Sequence, residues 1–230
     1  MALYAIADLH LSLGTDKPMD VFKGWQDYKE RLENNWRNLV KDDDTVVVAG
    51  DISWAMRLDE CYEDFSFLNS LPGTKILLKG NHDYWWATKK KIDEYLVENN
   101  FDTIKILFNN SFEVEGVTIC GSRGWYYDAD TDADIKVINR EVGRLKLSLD
   151  SVADKNTTPV VFLHYPPVYS DLECQEIMDT LIEYGIKECY YGHLHGAYTH
   201  KNAVVSEYKG INMHLISCDY TDFMPILVRN

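Results

Sequence analysis

Short apolar runs recur along the 230-residue chain, and several stop abruptly at a polar side chain. Ala2–Ala7 runs into Asp8, and Thr45–Ala49 runs through Gly50 into Asp51. Lys75–Lys79 passes through Gly80 into Asn81, Pro159–Leu163 ends at His164, and Glu188–Tyr191 passes through Gly192 into His193. Runs of this length, rich in Val, Ile and Leu, read as buried strands. Amphipathic stretches between them read as helices at about Trp25–Val40, Leu58–Asn69, Thr88–Asn99, Asp134–Val152 and Leu172–Tyr184. Two more strands are expected near Thr103–Phe108 and Val117–Cys120, and a hairpin-like pair at Ala203–Glu207 and Ile211–Ser217. Strands alternating with helices predict an α/β protein. The polar residues that end the runs are then expected at the C-terminal edges of neighbouring strands, where α/β folds place ligands.

No internal repeat, Pro/Gly/Ser-rich linker or low-complexity tract divides the chain, so residues 1–230 are expected to form a single domain. The chain is 46% hydrophobic, enough for a full core, and its net charge is −14. That acidity disfavours salt-driven binding to long nucleic acid or an anionic membrane, both of which need clustered Lys and Arg. It leaves a small anionic substrate open, because bound metal ions supply positive charge of their own. No run reaches the roughly 18 apolar residues of a membrane-spanning helix. The opening Met1–Asp8 segment lacks a basic region and meets a carboxylate too early for a signal peptide. Cys61, Cys120, Cys174, Cys189 and Cys218 are odd in number and have no CxxC spacing. They read as reduced, buried thiols of a cytoplasmic protein, in which the sequons at Asn109 and Asn156 carry no meaning. Oligomeric state is left open.

The polar run-ends form an ordered set: Asp8-Leu9-His10, Gly50-Asp51, Gly80-Asn81-His82-Asp83, His164, and Gly192-His193-Leu194-His195. Five of the seven histidines fall inside it, which argues for a shared chemistry rather than scattered caps. Carboxylate, imidazole and amide oxygen together suit Mn²⁺, Fe²⁺/Fe³⁺ or Zn²⁺, with Mn²⁺ favoured. Residues two apart on a strand face the same side, so Asp8 with His10, and His193 with His195, can each enter one site if extended.

This order resembles the calcineurin-like metallophosphoesterase superfamily, whose signature is DxH, GDxx(D/N), GNH(D/E), a lone His and GHxH; the match runs from residue 8 to residue 195. The resemblance implies a four-layer αββα sandwich of two mixed β-sheets flanked by helices, and metal-dependent hydrolysis of a phosphomonoester or phosphodiester. It implies that Asp8, His10, Asp51 and His195 hold one divalent ion, and Asp51, Asn81, His164 and His193 a second, with Asp51 bridging and a bridging hydroxide attacking phosphorus in line. His82 would face the leaving group as a non-ligand catalytic residue. Trp54 departs from the pattern, because relatives carry there the Asp or Asn that orients the histidine. Asp83 is one candidate to do so here.

Several residues stand outside this set. Arg123, in Gly121-Ser122-Arg123-Gly124-Trp125, follows an apolar run and can chelate a phosphate oxygen pair or form a structural ion pair. Trp54, Trp85, Trp86, Trp125, Tyr126 and Tyr127 sit just after motifs or beside Arg123, and offer nucleobase stacking or packing. These aromatics favour a nucleotide or other small molecule over a phosphoprotein as substrate. A non-catalytic scaffold of this fold is the rival class, and retention of all seven ligands and His82 opposes it. Asp128–Asp134 imitates a calcium loop but has Ala133 and Asn139 where glycine and glutamate are required, so it reads as a solvated loop and a helix cap. His200 and His214 read as ordinary polar or core residues. Tyr165-Pro166-Pro167 resembles a turn in some cyclic-nucleotide phosphodiesterases of the superfamily.

Overall fold

A computed structural model describes residues 1–125, 131–154 and 156–230. Tyr126, Tyr127 and the Asp128–Asp130 start of the calcium-like run lie outside the described residues. The first half alternates strand and helix: β1 (Leu3–Ile6), α1 (Tyr28–Leu39), β2 (Thr45–Ala49), α2 (Tyr62–Ser70, after a 3₁₀ turn at Leu58–Cys61), β3 (Thr74–Leu78), α3 (Lys89–Glu98) and β4 (Ile104–Ile106). The second half contains β5 (Phe112–Val114), β6 (Val117–Ser122), α4 (Asp132–Asp150), β7 (Thr158–Leu163) and the short pair β8 (Val168–Tyr169) and β9 (Leu172–Glu173). It continues through α5 (Gln175–Glu183), β10 (Glu188–Tyr191), α6 (Gly196–His200), β11 (Glu207–Tyr208), β12 (Ile211–Leu215) and β13 (Ile226–Arg229).

Two mixed sheets face each other, ordered β13-β1-β2-β3-β4 and β11-β12-β10-β7-β6-β5. The two-residue period of the strands explains the layering. Leu3, Ala5, Val47, Ala49, Ile76 and Leu78 point at Val117, Ile119, Val160, Phe162 and Tyr190 of the other sheet. The alternate residues Ile6, Val46, Val48 and Leu77 pack with Leu32, Trp36, Phe65, Leu68, Ile92 and Leu96 of α1, α2 and α3. On the far side, Cys120, Val161, Leu163 and Tyr191 pack with Leu145, Leu149, Ile177 and Leu181 of α4 and α5. Both faces of each sheet are therefore covered, which is why these strands read as continuous apolar runs.

The expected elements differ from the observed ones mainly at edges. Of Ala203–Glu207 only Glu207 enters a ladder strand, with Tyr208; Ala203 makes a lone bridge to Tyr169. The helix expected from Leu172 begins at Gln175, because Leu172–Glu173 pairs with Val168–Tyr169 instead. The C-terminal strand β13, which pairs antiparallel with β1, is not among the expected elements, because Pro225 and its exposed alternation weaken an edge-strand pattern. Helix α4 starts at Asp132 and is capped by Thr131, whose hydroxyl accepts from the Asp134 amide at 3.2 Å. All five cysteines are buried free thiols. Among the described residues no helix is long and apolar enough to cross a membrane.

Candidate metal centre

The two sheets meet at their C-terminal ends. The Ala7 amide donates to Ile216 at 2.8 Å and the Cys218 amide donates to Ala7 at 3.0 Å, so β1 and the end of β12 are tied by main-chain bonds. The chain leaving each strand then turns sharply. Asp8, His10, Asp51 and His193 all adopt positive φ (62°, 46°, 49° and 71°), a conformation that costs a side-chain-bearing residue about 1 kcal/mol. Asp8 and His10 are thus not on an extended strand, and the two-residue period is not what brings them together. Glycine permits the close approach. A Cβ on Gly80 would lie 2.1 Å from Asp51 Oδ1, and one on Gly192 2.6 Å from Asp8 Oδ2.

The seven side chains converge into two adjoining groups. Asp8, His10 and His195 offer atoms within 4.8 Å of one another, and so do Asp51, His164 and His193. His10 Nε2 lies 3.2 Å from His195 Nε2. Asn81 Oδ1 lies 2.6 Å from His164 Nε2 and 2.8 Å from His193 Nδ1. Asp51 spans the two groups, with Oδ2 3.7 Å from His10 Nε2 and Oδ1 3.6 Å from His164 Nε2.

The chemistry of this donor set fits divalent cations. Burial holds His10, His164 and His193 well below the usual imidazole range, the last two at about 3 and about 2, so all three present lone pairs at neutral pH. Burial likewise pushes Asp8 and Asp51 upward. Asp8 Oδ1 is buried with no hydrogen-bond partner among the described residues, 3.5 Å from His164 Nδ1 and 3.9 Å from His195 Nε2. Asn81 Oδ1 faces His164 Nε2, whose ring proton lies on the other nitrogen, and acceptors aimed at acceptors in a dry site are costly unless positive charge lies between them. Burial also works against a charged His195, but its hydrogen bond to Asp219 and the field of Asp8 outweigh that and lift it to about 9.

Supporting partners fix the rings. His164 Nδ1 sits 3.1 Å from the Ala49 carbonyl, which places its proton on Nδ1 and leaves Nε2 free to coordinate. Asp219 does the same for His195, with Oδ1 2.9 Å from Nδ1, while its Oδ2 accepts from the Gly196 amide at 2.8 Å. Nearby charge and hydrogen bonds hold the Asp219 carboxyl well below the usual range despite its burial. No motif marks Asp219; its signal was the same as that of the others, a carboxylate just past the apolar Ile211–Ser217 run. His200, set aside on sequence, also lies near, 3.5 Å from Asp219. His214 stacks on Tyr190 and bonds Glu188, away from these groups.

His82 stands beside the two groups. Its amide donates to Asp51 Oδ1 at 2.8 Å, and its ring lies 5.7 Å from that of His10. Asp83 does not orient it. The Asp83 oxygens accept instead from the amides of Ile52, Ser53 and Gly80 and from Trp85 Nε1, tying the loop after β2 to the loop after β3. Trp54 takes the place beside the ring: it stacks on His10 at 4.9 Å and packs against His82 at 4.5 Å. His82 Nδ1 is buried with no hydrogen-bond partner among the described residues, and van der Waals contact with Trp54 positions this ring. Tyr84, 54% exposed, stands edge-on to it.

Arg123 is turned away. Its guanidinium pairs with the wholly buried Glu141 at 3.5 Å and lies over Trp125 and Tyr165. Trp85 is core at 2% exposure, which removes it from any role in stacking a substrate.

The profile of the calcineurin-like phosphoesterase family matches residues 1–197, and the chain belongs to that family. It is therefore a metal-dependent phosphoric ester hydrolase, and the family together with the two Asp/His groups points to a dinuclear divalent-metal centre. Among solved structures, a protein of unknown function from Aquifex aeolicus is 21% identical with a TM-score of 0.56, covering 98% of this chain and 95% of that one. The phosphopantetheinyl hydrolase of Mycobacterium tuberculosis is 18% identical with a TM-score of 0.56, covering 96% of this chain and 92% of that one. These likenesses concern the fold. A search of curated proteins returned no match.

Proposed function

We propose that the chain, acting as one domain over residues 1–230, hydrolyses a small phosphomonoester or phosphodiester, with a nucleotide or similar small molecule favoured. The observation that carries this reading is the position of Asp51, whose one carboxylate faces His10 on one side and His164 on the other. Asp8, His10, Asp51 and His195 would hold one ion, and Asp51, Asn81, His164 and His193 the other, with Mn²⁺ favoured. When bound, such ions supply Lewis acidity that offsets phosphoryl charge and makes water a nucleophile near neutral pH. Asn81 and the imidazoles keep the site neutral enough to admit an anion. His82 delivers a proton to the leaving oxygen as the P–O bond opposite the entering water breaks. The half-buried Trp54 and exposed Tyr84 flank that position and favour a flat or apolar leaving group.

With Mn²⁺ added, the protein is expected to release aryl alcohol from a chromogenic mono-aryl or bis-aryl phosphate. No turnover of either, with two ions bound per chain, overturns the reading. Asp219→Asn is expected to weaken metal binding by about 10–100-fold, because the amide cannot hold His195 in the required tautomer as the carboxylate does. Metal titration of the two proteins checks this, and equal affinities would leave Asp219 a purely structural residue.

Metal uptake should also release protons. His195 titrates at about 9 and burial raises Asp8, so both carry protons at neutral pH that a cation must displace. Affinity should therefore rise with pH through the neutral range. For stability the sign follows from Asp8. Its raised pKa means that the folded metal-free protein binds more protons than the unfolded chain above the ordinary carboxylate range, so its stability falls as pH rises toward about 8. The increase in melting temperature on adding Mn²⁺ should accordingly be larger at pH 8 than at pH 6. Calorimetry in buffers of different ionisation enthalpy counts the protons, and none released would contradict protonated Asp8 and His195 in the metal-free protein.

A further inference from the structure

Beside the metal centre, at the C-terminal ends of β3 and β6, lies a small notch lined by Lys79, Asn109, Arg123, Glu141 and Arg144. Three cations line it beside one carboxylate, that of Glu141, which Arg140 Nε also approaches at 3.9 Å from outside. Arg144 Nη1 donates to Glu141 Oε1 at 2.6 Å, and Arg123 Nη2 reaches the same oxygen at 3.5 Å. Lys79 lines the same notch and makes no ion pair among the described residues. Within a chain of net charge −14, this one partly buried spot carries an excess of two positive charges. Arg123 Nε, a donor, and Asn109 Oδ1 and Glu141 Oε2, both acceptors, are also buried there with no hydrogen-bond partner among the described residues. Uncompensated cations and idle polar groups in a dry setting are costly unless something satisfies them.

The notch adjoins the site through main-chain and ring contacts. The Arg123 carbonyl accepts from the amides of His164 and Tyr165, at 3.2 and 2.9 Å. The Arg123 guanidinium lies 6.0 Å from the Tyr165 ring, and that ring lies 4.5 Å from the ring of His193. Lys79 immediately precedes Gly80-Asn81. The enclosed space is about 10 Å³, room for one water-sized atom, so a ligand enters by a single oxygen. An excess of two charges matches a phosphate, which carries about −1.5 to −2 at neutral pH, better than it matches a single carboxylate.

We propose that Lys79, Arg123 and Arg144 bind a second phosphate of the substrate, one that does not react, so that the preferred substrate carries two phosphate groups. The inference rests on the phosphoesterase reading above, and binding measurements separate the two. Calorimetry on the Mn²⁺-loaded protein would compare a series of alkane bisphosphonates of increasing length with the matching alkylphosphonates and carboxyalkylphosphonates; none of these can be hydrolysed. At one length the bisphosphonate should bind about 10–100-fold more tightly than the alkylphosphonate, the range expected of charge-assisted hydrogen bonds. That ratio should fall toward one in Lys79→Gln and in Arg144→Gln, and be kept in Arg144→Lys. No preferred length, or a preference that survives both glutamine variants, overturns the proposal. Equal preference for the carboxyalkyl compound overturns the assignment to phosphate. Turnover enters none of these readings, so a protein that failed to hydrolyse any ester would still decide the question of the notch.

Discussion

Asp51→Asn is expected to abolish turnover and to leave the protein unable to hold two metal ions. Asp51 sets one oxygen toward His10 Nε2 and the other toward His164 Nε2, and it is 1% exposed, so no solvent group can replace it. An amide keeps the shape and one coordinating oxygen but removes the negative charge shared by two cations. Losing several kcal/mol of transition-state stabilisation corresponds to about three to five orders of magnitude in rate. The Asp51 Oδ1 bond from the His82 amide would also weaken, and the loop that carries His82 would loosen with it. Elemental analysis of the dialysed protein, alongside steady-state kinetics, makes the check. A variant that keeps two ions per chain and near-normal turnover would show that Asp51 does not bridge.

His82→Ala should separate chemistry from metal binding. Its ring is held by Trp54 and faces Tyr84, and it stands apart from the two convergent groups. Removing a general acid typically costs about 10²–10⁴-fold in rate. The loss should be greatest for alkyl esters, whose leaving oxygen needs a proton, and smallest for nitrophenyl esters, whose leaving group departs without one. Metal content should stay at two per chain. Loss of metal in this variant, or a loss of rate that ignores the leaving group, would rule out the proton-donor role.

Much of the architecture could be read from the pattern of the chain. A strand covered on both faces leaves a continuous apolar run, and a functional residue at its end interrupts that run sharply; Asp8, Asp51, Asn81, His164 and His193 all show this. What escaped depends on contacts between distant segments. Asp219 matters because β12 lies parallel to β10 and the chain leaving it brings Asp219, four residues past Leu215, beside His195, a pairing no local pattern encodes. Asp83 looked like a neighbour for His82 because the two are adjacent in sequence, yet the turn directs its carboxylate to amides of the β2 and β3 loops. Arg123 left two readings open, and the ion pair appears only once α4 lays Glu141 over the end of β6. Trp54 was visible as a departure, but its stacking on His10 depends on how the first two strands exit their sheet.

The left-handed backbone at Asp8, His10, Asp51 and His193 has a further consequence. At each of these positions glycine would sit more comfortably than the residue present, so the fold by itself favours a chain that has lost its site. A selection for thermal tolerance alone, with activity ignored, should therefore accumulate glycine there before it touches the neighbouring core. The centre is kept in being by what it does, against the preference of the scaffold that carries it.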